Sequence, residues 1–506
     1  MTVLSDIFDH NPRMYSEYTI LLFEDKSYTN IELYRRICRL GNCLYELKLN
    51  PGDVILIHME NLPDVVHLYG ACAKTGIVFC PTMFLLSAEE LSLIAEHSGA
   101  KYLFTTPNLL SKVRIACPRM FEDVAVILAG DEREPGTLLL DELCRDQPDS
   151  LETRPDLSDD DVAALLYTSR TTGKPKGALL THGNLGSNLR AIATSNHITR
   201  DEVALSALPL SHSYGLSMSL ISWLCGLTSV LMRWFDAETT FEYTEKYHVR
   251  AITGVPAMFI QLLNHPRAPQ YNVRSWKRLQ TGAAPLPEEI LRAFREKFGV
   301  YLYEGYGLTE AAPVVSCQRP HLPVKIGSVG PAIDGVEVKI RDDFERELPP
   351  GSPGEITVRG PNVMKGYLKD PGETERALRG GWLHTGDIGY MDEDGYLFIV
   401  ERKKDLIITG GFNLYPSEVE QVLEKHPAVA EAAVVGEPDP IKGEVVHAFV
   451  TLKGGMEVTE ASLIEFTRRS LVYYKCPHRV TFVGEMPRTF LGKPSRRDLR
   501  HRLSER

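Results

Sequence analysis

ALLYTSRTTGKPKGALLTHGNL, residues 164–185, joins a buried strand to a polar, glycine-rich loop and so sets the architecture. It begins inside an apolar run, Ala163–Tyr167, that reads as a buried strand. A loop dense in hydroxyls, glycine and lysine follows at once. Backbone N–H groups, the hydroxyls of Thr168, Ser169, Thr171 and Thr172, and the ammoniums of Lys174 and Lys176 can together surround a polyphosphate. Gly173 and Gly177 permit turns and close approaches that a side chain would block. A Walker A loop is excluded, because Pro175 follows Gly173-Lys174 where that loop needs Ser or Thr. Taken alone, the stretch also reads as a solvated surface loop.

Outward from this loop, apolar runs alternate with amphipathic segments. Residues 31–49 place Leu33, Ile37, Leu40, Leu44 and Leu47 on one helical face. Runs at Val54–His58 and Ile77–Pro81 flank a helix expected over 64–76, and further runs follow at Tyr102–Thr105, Val124–Leu128, Val203–Leu208 and Arg250–Thr253. This alternation predicts an α/β fold with a parallel sheet covered by helices. Past about Lys325, the segments GVEVKI, GEITVRG and GYLFIV alternate apolar and polar residues between Gly and Pro turns, as antiparallel strands do. A charged stretch, Glu401–Asp405, then precedes a locally basic tail with its own mixture of strands and helices. The expected organisation is a large N-terminal domain over 1–400, β-rich from about 325, a hinge over 401–405, and a small α+β domain over 406–506.

Composition removes several classes of protein. At 506 residues the chain exceeds a single hydrophobic core, which stops growing near roughly 250–300 residues. A net charge of -11 argues against nucleic-acid binding, which needs surplus Lys and Arg to displace counterions. Nine cysteines, scattered and without a CxxC pair, are poor material for a disulfide framework or a zinc site, and suit a reducing, cytoplasmic compartment. No secretory or retention signal is legible at either end. The uncharged stretch Ala204–Met232 contains Pro209, His212 and seven serines, so a buried helix and strand lining a pocket fits better than a membrane span.

Further motifs follow the loop in order: LPLSHSYG at 208–215, TGAAP at 281–285, YGLTE at 306–310, WLHTGD at 382–387, ERKKDLIITGGFNLYP at 401–416 and PRTFLGKPSR at 487–496. Together with YTSRTTGKPKG, this ordered set resembles the adenylate-forming superfamily of acyl-CoA synthetases, luciferases and adenylation domains, along essentially the whole chain. The resemblance implies ATP, Mg²⁺ and coenzyme A as co-substrates of a two-step acid–CoA ligase. A carboxylate would first give acyl-AMP and pyrophosphate; a thiol would then take the acyl group and release AMP.

The resemblance also implies roles, residue by residue. Lys493 matches the catalytic lysine of the first step, Thr309 binds the α-phosphate, and Glu310 holds Mg²⁺. Tyr306-Gly307 and Gly282-Ala283-Ala284 border the adenine, while Asp387 and Arg402 meet the ribose. The small domain turns about Lys404 and brings Gly410 and Gly411 to the thiol's path, and His212 stands between acyl pocket and thiol channel. A homodimer is compatible with these residues and is not required by them.

One position departs from the pattern: Arg170 stands where the family has Gly. Its guanidinium would either pair with pyrophosphate oxygens or obstruct the loop. The main reading is an active acid–CoA ligase; the alternatives are an enzyme that loads a carrier protein and a nucleotide- or acyl-binding protein of low turnover. Amino-acid-activating relatives hold the substrate ammonium with an aspartate in the region of LPLSHSYGLSMS, and no acidic residue lies there. A fatty or aromatic carboxylate is therefore expected, and sequence does not separate the two.

Overall fold

The structure, a computed structural model, describes residues 3–151, 155–168, 176–284, 286–409, 412–440, 442–488 and 494–504. The chain divides by its contacts into two compact units, 1–338 with 358–384, and 339–357 with 385–506. Residues 339–357 and 385–400 thus group with the C-terminal part.

The described residues of the first unit build two eight-stranded sheets. One runs Gly366–Tyr367, Lys176–Thr181, Val162–Thr168, Val78–Pro81, Val54–His58, Tyr102–Thr105, Val126–Leu128, Thr137–Leu139. The other runs Val314–Cys317, Leu302–Gly307, Arg278–Thr281, Ala251–Gly254, Val203–Ser206, Thr228–Leu231, Thr19–Phe23, Lys26–Thr29. Their central strands are parallel and crossed by helices, the α/β architecture that the alternation predicts. Between the second sheet and its helices lies a core of Leu205, Val230, Phe241, Phe259, Trp276, Leu279, Phe294 and Leu302.

Local chemistry sets the helix boundaries. The helix Asn30–Glu46 begins at a capping box, with the Thr29 hydroxyl accepting from Glu32 N–H and the Glu32 carboxylate accepting from Thr29 N–H. It ends before the predicted Leu49 because Lys48 takes the left-handed conformation, φ 57°, in the turn leading to Val54. The uncharged stretch forms the strands Val203–Ser206 and Thr228–Leu231 with the helix Ser213–Cys225 between them. Among the described residues, no helix is long and apolar enough to cross a membrane.

The second unit carries most of a four-stranded sheet, ordered Glu337–Arg341, Gly354–Arg359, Leu383–Met391, Leu397–Arg402. Its other sheet centres on Gly443–Leu452, antiparallel to Val429–Asp439 and parallel to Arg479–Phe482. The helices Pro416–Glu424 and Glu460–Arg468 complete the small α+β body expected for this part of the chain.

Candidate active site

The strands on either side of residues 169–175 pair with each other as a hairpin. Val162–Thr168 pairs in parallel with Val78–Pro81 on one side and antiparallel with Lys176–Thr181 on the other, with Thr168 opposite Lys176. The deciding stretch therefore marks the line where a parallel sheet turns antiparallel. Thr168 and Lys176 bracket the loop; Ser169, Arg170, Thr171, Thr172, Gly173 and Lys174 lie outside the described residues. The Lys176 ammonium pairs with the Glu373 carboxylate and stands over the Tyr367 ring, 4.9 Å from its centroid.

The remaining body residues collect where parallel strands end, the usual place for a ligand in an α/β sheet. Gly282, Ala283 and Ala284 follow the strand Arg278–Thr281, with Ala283 held at φ 64°, an uncommon conformation for a residue with a Cβ. Tyr306 and Gly307 close the strand Leu302–Gly307, and Thr309 and Glu310 lie in the 3₁₀ turn just beyond it. A Cβ on Gly307 would come within 2.2 Å of the Pro313 carbonyl oxygen, so only glycine fits where this loop doubles back. The turn is pinned from outside: Met364 N–H donates to the Glu310 carbonyl at 2.9 Å, and Asn362 Nδ2 donates to that of Ala311 at 2.8 Å.

His212 caps the helix Ser213–Cys225, its Nδ1 accepting from Tyr214 N–H at 3.1 Å. Burial holds its pKa below the ordinary histidine value, so the imidazole is neutral at physiological pH. A Cβ on Gly215 would stand 2.1 Å from the Pro209 carbonyl oxygen; glycine lets the helix start tightly against the preceding loop. Asn61 fixes that loop from a different strand connection. Its amide donates to the carbonyls of Leu208 at 2.9 Å and Met232 at 3.0 Å, and its carbonyl accepts from Leu210 N–H at 2.8 Å.

These elements meet. The hydroxyls of Ser213 and Thr309 lie 3.4 Å apart, joining the start of the His212 helix to the Thr309 turn. The Tyr214 ring approaches to 3.6 Å of the position a Cβ would take on Gly282. Tyr367 O–H donates to Glu310 Oε1 at 2.9 Å, linking that turn to the ring beneath Lys176. Thus Gly282, His212, Thr309, Glu310, Lys176 and Thr168, dispersed over more than a hundred residues, form one connected locus. Beside it, Glu304 is buried, which raises its carboxyl pKa to about 7 against the pull of the Leu286 backbone hydrogen bond.

In the second unit, Asp387 and Arg402 face each other across adjacent antiparallel strands, with Arg402 Nε 3.2 Å from Asp387 Oδ1. Lys404 lies in the 3₁₀ turn Lys403–Asp405, its side chain outside the described atoms. Gly410, Gly411 and Lys493 also fall outside the described residues. Residues 401–405 are bound to the helix Arg496–Ser504 by Arg496, 2.7 Å from Glu401 and 2.8 Å from Glu420, and by Arg500, 3.2 Å from Asp405.

Sequence reasoning missed Tyr367, Glu373 and Asn61. Each acts on a partner far along the chain (57 residues for Tyr367 with Glu310, 147 for Asn61 with Leu208), and no spacing rule reports such pairs. Among the described residues, no cluster of three His, Cys, Asp or Glu side chains could hold a resident metal. The single carboxylate of Glu310 does fit Mg²⁺ arriving on a nucleotide, because that ion takes one or two carboxylates and completes its shell with phosphates and water.

Residues 8–368 match the AMP-binding enzyme family, and residues 418–493 match the AMP-binding enzyme C-terminal domain. The chain belongs to this adenylate-forming family. It is 38% identical to a feruloyl-CoA synthase of an Amycolatopsis species, over 97% of each chain, and 34% identical to a long-chain-fatty-acid–CoA ligase of Escherichia coli O157:H7, over 98% of this chain and 94% of that one. The crystal structure of ATP-bound MatB from Rhodopseudomonas palustris superimposes with a TM-score of 0.91 at 30% identity, over 98% of each chain. Within the family the protein is an AMP-forming acid–CoA ligase, using ATP with Mg²⁺ and coenzyme A.

Proposed function

We propose that this ligase activates an apolar acid, and within that class an aromatic one. The observation that carries the reading is the frame around His212. The helix Ser213–Cys225, the strand Ala251–Gly254 and the helix Pro256–Asn264 contain no charged residue, and the bulky Tyr214 ring stands against Gly282. Such a wall suits a flat ring better than a second carboxylate or an ammonium. The 38% identity to a feruloyl-CoA synthase supports the same choice.

In this reading the nucleotide lies with its adenine between Tyr306 and Gly282-Ala283-Ala284, its ribose on Asp387 and Arg402, and its phosphates near Thr309 and the hairpin loop. Glu310 holds the Mg²⁺, which supplies charge neutralisation on the phosphates. A carboxylate approaching an α-phosphate at about 4 Å meets a repulsion of roughly 4 kcal/mol at an effective dielectric of 20. The Lys493 ammonium offsets it. Once pyrophosphate leaves, the C-terminal segment turns about Lys404, Lys493 withdraws, and Gly410 and Gly411 form the slot for pantetheine. Neutral His212 opens the passage from acyl pocket to thiol. A cytoplasmic location, where CoA's thiol stays reduced, belongs to the same proposal.

The experiment is a panel of aromatic, aliphatic and dicarboxylic acids with ATP and CoA, read by mass spectrometry of the thioesters. Hydroxycinnamate-type acids should lead. Preference for long-chain fatty acids would sink the aromatic assignment; acyl-AMP without CoA thioester would point to a carrier-protein acceptor. No pyrophosphate with any acid would identify Arg170 as obstructive and the protein as a binder.

A further inference from the structure

Scattered cysteines are poor material for a disulfide framework, yet folding brings two of them together. Cys43, on the helix Asn30–Glu46, and Cys144, at the end of the helix Leu140–Cys144, are 101 residues apart in sequence with their sulfurs 3.1 Å apart. Both are buried, at 2% and 4% exposure. Among the described residues, which include all nine cysteines, no other two sulfurs are in contact.

The surroundings already hold the two segments in place. Arg36 lies 2.8 Å from Asp141, Arg39 lies 2.5 Å from Asp149, and Asn42 Nδ2 donates to the carbonyls of Pro148 at 3.1 Å and Ser150 at 3.0 Å. A disulfide bond is about 2.05 Å long, so closure needs the sulfurs to approach by only about 1 Å.

We propose that Cys43 and Cys144 are a dithiol site that peroxide closes to a disulfide, fastening the helix Asn30–Glu46 to the segment after Thr137–Leu139. One sulfur, as thiolate, attacks a peroxide oxygen; the O–O bond breaks, leaving a sulfenic acid and, after proton uptake, water. The second sulfur then attacks the first, its proton leaves with the displaced hydroxide as a second water, and the S–S bond forms. Two thiols are oxidised by two electrons and one hydrogen peroxide is reduced to two waters. The contact with Cys144 and burial both push the Cys43 thiol up, so closure is slow and marks sustained exposure to oxidant.

The test uses the full chain, reduced, freed of reductant, treated with hydrogen peroxide, alkylated and digested with trypsin. Cys43 falls in the peptide 40–48 and Cys144 in the peptide 134–145, each carrying a single cysteine. The expected product is the two peptides joined, two hydrogens lighter than their sum, separated again by dithiothreitol and absent from Cys43→Ala and Cys144→Ala. Neither residue touches the site, so ligase turnover of the oxidised wild type should stay within about twofold, while its apparent melting temperature rises because the closed loop is long. The two peptides recovered unlinked from peroxide-treated, folded wild type, or Cys43 joined to another cysteine, would overturn the proposal whether or not the variants fold.

Discussion

Around Glu310 the first unit uses few charges and many close backbone approaches; around Arg496 the second unit does the opposite. Glu310 is placed by a turn that doubles back on Pro313, by the Met364 backbone N–H and by one tyrosine hydroxyl. Arg496 is placed by three carboxylates, those of Glu401, Glu420 and, at 3.7 Å, Asp405. In the proposed role of receiving a polyanion and its metal ion, the first region gains from fixed dipoles that need no rearrangement. If residues 401–405 turn as proposed, ion pairs serve them by fixing one geometry through side chains that can exchange partners.

The largest effect expected concerns Lys493, the charge proposed for the adenylation step. Lys493→Ala should slow adenylation by about 10³-fold, as loss of one strong transition-state donor does, yet spare thioester formation from supplied acyl-AMP. Pyrophosphate release measures the first step and thioester yield the second. Equal loss of both would remove the two-conformation mechanism, and with it the functional reason for a charge-held hinge.

Next comes the charge cluster itself. Arg496→Ala leaves Glu401 and Glu420 facing each other without their cation, and both are largely buried. Breaking a buried pair from one side typically costs about 3–5 kcal/mol. The loss should appear as early unfolding or proteolysis of the second unit, with the first unit's melting unchanged. A variant as stable as wild type would mean that the cluster contributes no more than a surface ion pair.

Glu304 tests the opposite feature of the first unit, a carboxyl left almost without partners. Burial raises its pKa from 4.5 to about 7, so between these values the folded chain keeps a proton that the unfolded chain has released. Stability contributed by this group is complete below about pH 4.5 and is lost as pH rises through about 7; the full change is about 3 kcal/mol. Glu304→Gln removes the titration. Melts at about pH 5 and pH 8 should show the variant gaining on wild type as pH rises. A difference that does not move with pH would show the carboxylate to be charged in the fold.

Gly307→Ala probes the close backbone approach. The new methyl needs the space of the Pro313 carbonyl, and the turn carrying Thr309 and Glu310 must shift to admit it. Displacement of catalytic groups by about 1 Å can cost on the order of 10²-fold in rate. Adenylation kinetics should fall accordingly while the second unit melts as before; unchanged kinetics would show that the turn adapts.

The two regions also differ in what the sequence could say. Strands such as Val54–His58 and Tyr102–Thr105 appear where apolar runs place them, because a doubly covered parallel strand must be apolar along its length. The motifs locate Thr309 and Glu310 in a 3₁₀ turn, His212 at a helix start and the Asp387–Arg402 pair on adjacent strands, since each is a short segment whose composition is constrained locally. What supports those segments is not local. Asn61 reaches Leu208, Asn362 reaches Ala311, and Arg496 reaches Glu401 across 95 residues, each through the fold rather than through any period in the chain. The hairpin at the phosphate loop was hidden for a related reason: an apolar run shows burial and does not show on which side its partner runs antiparallel.

Tyr367 gives the smallest effect and the sharpest view of the contrast. Its hydroxyl donates to Glu310 Oε1, and its ring lies beneath the Lys176 ammonium, which Glu373 neutralises. Tyr367→Phe keeps the ring and removes the hydrogen bond to Glu310, leaving Glu310 with a carboxylate that is less fixed in direction. A hydrogen bond to a charged group is worth about 1.5–3 kcal/mol, and solvent at this half-buried position recovers part of it, so about 1 kcal/mol should be lost. If the hydroxyl orients Glu310 for Mg²⁺, the variant needs roughly fivefold more Mg²⁺ for half-maximal adenylation at saturating ATP, by the conversion of about 1 kcal/mol into a binding ratio. Its melting temperature and its thioester-forming step should stay as in wild type. Equal Mg²⁺ requirements in the two proteins would mean that the backbone of the turn alone aims Glu310, and the difference between the dipole-built turn and the charge-built cluster around Arg496 would be larger still.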